Sequence, residues 1–525
     1  MEAHCLRQTE LPHTSRLFAD FQYHFDRVQK YYRHWPGRME SYAEAAREIC
    51  YPDERRTALV AALAKRNAGN PNLELLAQPT TLAVVTGQQT GLFSGPAYTI
   101  YKALTAARLA QTLTMQGIPA VPVFWLATED HDLAEVNHCY VFSDKHRPVA
   151  LKVDGDGEAQ QPVGTIQLGP PPIGDLRAAL RGLPFGDSVV NAVAAAYQPG
   201  ATFGEAFWTL LRGMLEKWGL LVIDPLDADV RRIAAPLLSQ ALKAAPELKT
   251  RLLERNQELE AAGYHAQVHL EPQTSLFFLL EGNRRITLRR QDDGYASKER
   301  RYSTEDLLAH AEQLSPNALL RPVAQDYLLP TVAYVGGPAE LAYFAQSQVL
   351  YEGLLGRMPV LLARAGFTLL DGAHAKLMSR YGLTIPDFFH GEGHVRETIA
   401  KKLAPRELTS EFQQVRGSTE QSLKHLRESL LRFDPTLATA LDKSGAKMMY
   451  QLTKIENKTA REALRRDTRA AEDAAGLSNL IYPEKHLQER YYSILPFLAK
   501  HGPGLLDTLY ENVHLDCPDH KVLVV

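Results

Sequence analysis

Three short stretches carry side chains whose types and spacing could do chemistry. In GQQTGLFSGPAYTIYK, Gly87, Gln88 and Gln89 open a glycine-rich turn that runs to Gly95-Pro96, and Tyr98 and Lys102 follow four residues apart. That interval puts the phenol and the ammonium on one face of a helix. A helix capped at Gly95 and begun by Pro96 would present free N–H groups and a positive dipole end, which attract phosphate or carboxylate. The two glutamine amides offer paired donors and acceptors. The spacing is neither GxGxxG nor GxxxxGK[ST], so the dinucleotide and P-loop readings fail. The plain alternative for Lys102 is a solvated helix lysine.

The second stretch is Glu129-Asp130-His131-Asp132, within PVFWLATEDHDLAEVNH. It follows an apolar run and so stands at the C-terminal end of a buried strand, the edge at which open α/β sheets bind ligands. Three carboxylates around one imidazole would raise the histidine's pKa and invite a cation or amine. The set could work as hydrogen-bonding groups and a general base on an amine nucleophile. With His138 it could instead hold a metal, although no known ligand spacing is matched. A helix cap beside a core histidine accounts for the same residues.

The third stretch, TVAYVGGPAELAYFAQ, repeats the grammar of the first: strand, Gly336-Gly337, Pro338 opening a helix, then Glu340, Tyr343 and Gln346 on successive turns. Two strand–Gly–Pro–helix crossings in one sheet can open on one crevice. Glu340 could equally do no more than complement the helix dipole.

The elements that position these stretches are short apolar runs alternating with helical patterns: 81–85, 121–127, 219–224, 331–335 and 359–363. Continuous Val/Leu/Ile runs suit strands buried on both faces, so the chain reads as α/β with a doubly wound parallel sheet. The first 78 residues read as helical. Residues 142–200, rich in Gly, Pro and Asp, read as an irregular insertion or linker, and 266–290 alternate as a hairpin turning at Gly282-Asn283. From about 405 to 475 the period becomes a heptad, with Leu408, Phe412, Val415, Thr419, Ser422, Leu426, Leu430 and Phe433 on one run. Leu437, Leu441, Ser444, Met448, Leu452, Ile455 and Thr459 continue it after Asp434-Pro435. The break predicts an antiparallel coiled-coil hairpin, with two amphipathic core helices as the alternative. The resulting division is a core over 1–390 with insertions near 142–200 and 265–300, a coiled coil over 391–480, and a segment over 481–525 returning to the core.

At 525 residues the chain calls for two or three domains. Its net charge of −3 argues against a dedicated nucleic-acid binder. The absence of an apolar run of roughly 20 residues or of a signal-peptide pattern argues against a membrane or secretory role. Four scattered cysteines imply neither a disulfide framework nor a structural zinc. The expectation is a cytoplasmic protein.

In order and at this length, the three stretches resemble the bacillithiol biosynthesis cysteine-adding enzymes, the BshC family. The likeness extends to HLQERYYSILPFLAKHGP near the end. The resemblance implies a Rossmann-type core with inserted connecting segments and a coiled coil that makes a homodimer. It also implies the last step of bacillithiol synthesis, in which cysteine is joined by an amide to the glucosamine nitrogen of glucosaminyl-malate. Such chemistry needs an activated carboxylate, so ATP with Mg²⁺ is the implied cofactor, and no tightly bound protein metal is expected. The sequence departs from nucleotidyl-transferring Rossmann enzymes in lacking their histidine-containing motif. Under this resemblance Lys102 and the 95–98 amides would bind an anionic acyl donor or phosphate. His131, flanked by Asp130 and Asp132, would orient or deprotonate the sugar amine, and Glu340 and Tyr343 would meet the cysteine ammonium or sugar hydroxyls. Gly87, Gln88, Gln89, Gly95, Tyr98, Glu129, Asn137, Gly336, Gly337 and Gln346 complete the expected binding set. A metal-dependent hydrolase centred on Glu129–Asp132 and a non-catalytic coiled-coil scaffold are the competing functions.

Overall fold

Five apolar runs become five parallel strands: β1 (Leu82–Gln89), β2 (Ala120–Ala127), β3 (Leu221–Ile223), β4 (Thr331–Gly336) and β5 (Val360–Ala363). Their order is β5-β4-β1-β2-β3, and every neighbouring pair is parallel. The chain winds outward through β1, β2 and β3, then returns to the far side of β1 for β4 and β5. The switch point therefore lies between β1 and β4, where doubly wound sheets bind ligands. This computed structural model describes residues 3–155, 157–271, 273–291 and 294–525. Met1, Glu2, Asp156, Pro272, Asp292 and Asp293, in the N-terminal and inserted stretches read above, lie outside them.

Alternation along β1 explains why both faces are covered. Leu82 and Val84 pack with Ala106, Leu109 and Leu113 of α1 (Tyr98–Met115), whereas Ala83 and Val85 belong to the opposite core. That second core also takes Val230 and Leu237 of α2 (Ala228–Lys243) and Leu341 and Phe344 of α3 (Pro338–Leu354). Each leucine so buried contributes about 1.5–3 kcal/mol.

The hairpin forms as read: Thr274–Glu281 and Arg284–Gln291 pair antiparallel. Gly282 and Asn283 take φ of 55° and 64°, the left-handed values a two-residue type I′ turn requires. The N-terminal segment is not helical throughout. Ala3–Leu6 is a strand antiparallel to His520–Val524, too short to show a period in sequence. Helices follow over Arg16–Tyr23, Met39–Glu48, Asp53–Leu63 and Pro71–Leu76.

The chain divides into two units. One comprises 1–144, 148–369 and 489–523; the other comprises 145–147, 370–488 and 524–525. The second is helical, and its longest elements are α4 (Arg406–Phe433) and α5 (Pro435–Arg466). Asp434 caps α5, its carboxylate accepting from the Thr436 amide at 2.8 Å, and Pro435 presets the first turn. Pairs Arg416–Glu456 and Arg427–Asp442 show that the two helices run antiparallel.

The apolar heptad splits in a way the sequence reading did not anticipate. Phe412, Thr419 and Leu430 are partly covered, as is Leu423, which lies against Gly445. Leu408, Val415, Leu426 and Phe433 on α4 are exposed, as are Leu437, Met448 and Ile455 on α5. Fewer than half of the expected seam positions are covered in the hairpin, because one helix can cover only one stripe of the other. Among the described residues no helix is long and apolar enough to cross a membrane.

Candidate active site

The ends of β1 and β4 place Gly87-Gln88-Gln89 beside Gly336-Gly337. Lys102, in the second turn of α1, reaches back under the end of β1. Its ammonium donates to the Gly87 carbonyl at 2.8 Å and to Gln88 Oε1 at 3.0 Å, and is ion-paired with Glu340 of α3. With 3% exposure Lys102 is not a solvated lysine. Glu340 also accepts from the Tyr334 hydroxyl at 2.6 Å and from the Gly337 amide at 2.8 Å, which caps α3. Burial pulls the Lys102 pKa down against the pull of Glu340. Burial alone would raise Glu340, but Lys102, the Gly337 amide and the Tyr334 hydroxyl outweigh it and hold the carboxyl below its usual value. Gly87 admits no side chain, since an added Cβ would lie 2.8 Å from the Trp125 carbonyl oxygen.

Over this pair opens a cavity of about 390 Å³, within the size range of small-molecule sites. Arg321, Arg364 and the exposed Arg490 supply positive charge, while Glu129 and Asp130 line another part with Arg285. Arg321 donates to the Tyr343 hydroxyl and to Gln325, each at 2.9 Å. Arg364 is forked onto the buried carboxylate of Glu489, with one N–H at 2.9 Å. The Tyr98 ring lies 5.2 Å from the Arg364 guanidinium and 6.0 Å from that of Arg490, a cation–π arrangement. Its hydroxyl accepts from Gln88 at 3.2 Å. Burial pushes Glu129 up, with Arg285 and Arg231 acting against it.

The sequence-predicted residues separate into two groups. Gly87, Gln88, Gln89, Tyr98, Lys102, Glu129, Asp130, Gly337, Glu340 and Tyr343 all line the cavity. The others lie elsewhere. His131 is not a lining residue: its ring packs against Phe278 at 5.8 Å, and its Nδ1 is buried without a hydrogen-bond partner. Its pKa is lowered by burial and by Arg285, the reverse of the expected rise. The neighbouring aspartates oppose that shift too weakly, because Asp130 is engaged by Gln89 and by the His131 backbone N–H (2.8 Å). Asp132 caps the next turn through the Ala134 amide at 3.1 Å.

Gly95, at φ 64°, does not cap α1, which begins at Tyr98 after Ala97. Phe93 and Ser94 adopt left-handed backbone first, and this delays the helix. The donors of the turn serve the protein itself, Phe93 N–H binding the Tyr197 hydroxyl at 2.7 Å and Ala97 N–H the Tyr492 carbonyl at 2.8 Å. Gln346 ties Asn256 and both backbone groups of Val268 together in the interior. Asn137 receives the Val153 amide on its carbonyl. Gly336 is crowded by Tyr334 and the Glu340 Cβ, and its carbonyl accepts from Arg364 N–H.

The arginines went unread. Arg364 stands one residue past β5 at the ligand edge and could have been found by that position alone. Arg490 sits in the HLQERYYSILPF stretch, and Arg285 in the hairpin's polar alternation. Nothing local marks Arg321.

A Rossmann-type sheet with a charged cavity at its switch point, followed by a long helical hairpin, defines a two-part α/β and coiled-coil protein with a small-molecule site. Residues 1–365 match the family model of the bacillithiol biosynthesis BshC N-terminal Rossmann-like domain, and 367–525 that of the BshC C-terminal coiled-coil domain. The chain belongs to the BshC family. It is 53% identical over 525 residues to a protein of Solibacter usitatus named "Putative cysteine ligase BshC", covering 100% of both chains. It is 37% identical to a Koribacter versatilis protein of the same name, covering 99% of each, and 32% identical to one of Salinibacter ruber, covering 97% and 96%.

Proposed function

We propose that this chain is a cysteine ligase of bacillithiol biosynthesis, joining the cysteine carboxyl by an amide to the amino group of glucosaminyl-malate. The observation that carries the reading is the separation of charge in the cavity. Arg321, Arg364 and Arg490 suit the two carboxylates of a malyl group, and Glu129 and Asp130 suit an amine or ammonium. Glu129, whose carboxyl is pushed up by burial, would take the proton from the amine. Lys102 acts as a positioning residue, since its donors are committed to Gly87, Gln88 and Glu340.

A free carboxylate is a poor acyl donor, and ATP with Mg²⁺ would supply its activation. The guanidinium groups fit phosphate as they fit carboxylate, so Arg364 would hold that group and leave Arg321 and Arg490 to the malyl carboxylates. The helix tip expected for the task is occupied by the protein's own contacts. Small molecules are the partners in this reading, with no nucleic acid or membrane, and the reaction belongs to the cytoplasm. The exposed stripes of α4 and α5 make a second copy the partner of the hairpin.

The test is reaction of purified protein with cysteine and glucosaminyl-malate, with and without ATP and Mg²⁺, read by mass spectrometry. The cysteinyl amide should form only with nucleotide. Amide formed equally without it would remove the activation step, and no amide under any condition would overturn the ligase reading.

A further inference from the structure

Within the helical unit, His146 joins Asp371 and His374, more than 200 residues further along the chain, to bring two imidazoles and one carboxylate together. One candidate ligand atom from each lies within 4.8 Å of the others. We propose that these three side chains form a binding site for a first-row divalent cation of the zinc class, separate from the ligand cavity.

The local part of the cluster is explained by helix capping. Asp371 precedes the helix Gly372–Tyr381, and its Oδ1 accepts from the His374 amide at 2.8 Å and lies 2.7 Å from His374 Nδ1. This fixes the ring of His374, which is itself buried. Capping gives no reason for the third member. His146 has a backbone φ of 53°, a conformation costly for a residue with a Cβ. Its ring nevertheless sits edge-on to His374 with centroids 4.4 Å apart. A shared cation accounts for that approach, since each imidazole offers it one ring nitrogen.

The chemistry of the set is selective. Zn–N and Zn–O bonds of about 2.0–2.2 Å place ligand atoms about 3.3 Å apart around a tetrahedral ion. The three ligand atoms here lie within 4.8 Å of one another. Two nitrogens and one oxygen favour zinc, cobalt or iron over magnesium or calcium, which take oxygen sets. Three protein ligands leave a fourth position for water or an exogenous ligand. The Glu129–Asp132 stretch, by contrast, turns its histidine onto Phe278.

The test uses the full-length protein freed of metal by chelator, with ZnCl₂ titrated against a chromophoric competitor and CoCl₂ as a spectroscopic probe. One zinc per chain is expected, together with visible cobalt bands of a four- or five-coordinate site. His146→Ala and His374→Ala should each weaken zinc at least about tenfold, while His394→Ala, another histidine of the same unit, should leave it unchanged. Circular dichroism of each variant shows whether the fold survives. No stoichiometric zinc on the wild-type protein overturns the site. So does zinc binding that either cluster variant leaves intact.

Discussion

The ammonium of Lys102, on the helix after β1, and the carboxylate of Glu340, on the helix after β4, are ion-paired under the cavity. They cross-brace the two halves of the sheet where its winding reverses. A buried pair adds little net stability over an apolar substitute, but removing one partner strands the other charge at a cost of about 3–5 kcal/mol. Lys102→Ala should therefore lower Tm sharply and abolish product. Lys102→Met combined with Glu340→Gln should recover most of the Tm without recovering turnover. Calorimetry showing an unchanged Tm for the single variant would mean that Glu340 is solvated without its partner.

Arg490 is exposed and borders the cavity, so its removal should spare the fold. A charge-assisted hydrogen bond is worth about 1.5–3 kcal/mol, so Arg490→Ala should raise KM for glucosaminyl-malate about 10- to 100-fold at constant Tm. An unchanged KM would place the malyl carboxylates away from this arginine.

Gly87→Ala drives a methyl group to 2.8 Å from the Trp125 carbonyl oxygen in the adjacent strand. Backbone cannot yield there as a flexible side chain would. Overpacking of this kind costs about 1–3 kcal/mol, and turnover should fall further than stability because the shift moves the acceptors of Lys102. Wild-type kinetics in this variant would show that the β1 end tolerates displacement.

Acid should unfold the protein in two stages. Burial lowers His520, whose Nε2 lies 2.8 Å from the Thr368 hydroxyl. A folded-state imidazole below its ordinary value of about 6.5 binds fewer protons than the unfolded chain, so stability falls as pH drops below about 6.5. Glu340 and Glu489 are held low by Lys102 and Arg364 against the effect of burial. Their contribution is present above the ordinary carboxylate value of about 4.3 and is lost as pH falls through their folded values. Urea midpoints measured from about pH 7.5 to about pH 3.5 should show both stages, and His520→Gln should flatten the first. A first stage unaltered by that change would assign it to other histidines.

The exposed stripes of the hairpin predict association. Leu426→Glu with Ile455→Glu places charge on both without touching the covered face, since these residues are 48% and 50% exposed. Light scattering should give a dimer for the parent chain and a monomer for the variant at unchanged helix content. A monomeric parent chain would leave the stripes to some other partner.

Legibility in sequence followed the range of the interaction. The strands, the I′ turn and the break at Asp434-Pro435 rest on local period and turn chemistry, and they were readable. So was the meeting of the Gly87 and Gly337 loops, because both share one strand-to-helix grammar. What failed depended on distant neighbours. Gln346 has the spacing of a site residue, yet its amide is claimed by Asn256 and Val268. His131 stands among carboxylates in the sequence, but burial beside Phe278 and the charge of Arg285 lower its pKa instead. The seam of α4 and α5 reads as one heptad because sequence does not say how many helices share it.

The fork between Arg364 and Glu489 joins residues 125 positions apart in the chain, and residues 370–488 of the helical unit are encoded between them. On the ribosome, β1 through β5 emerge well before Glu489 and Arg490 do. The nascent sheet must wait with one buried guanidinium uncompensated and one side of its cavity unbuilt. Chains released early therefore lack a working site whatever they have folded, and completion of the pocket is a late event of synthesis.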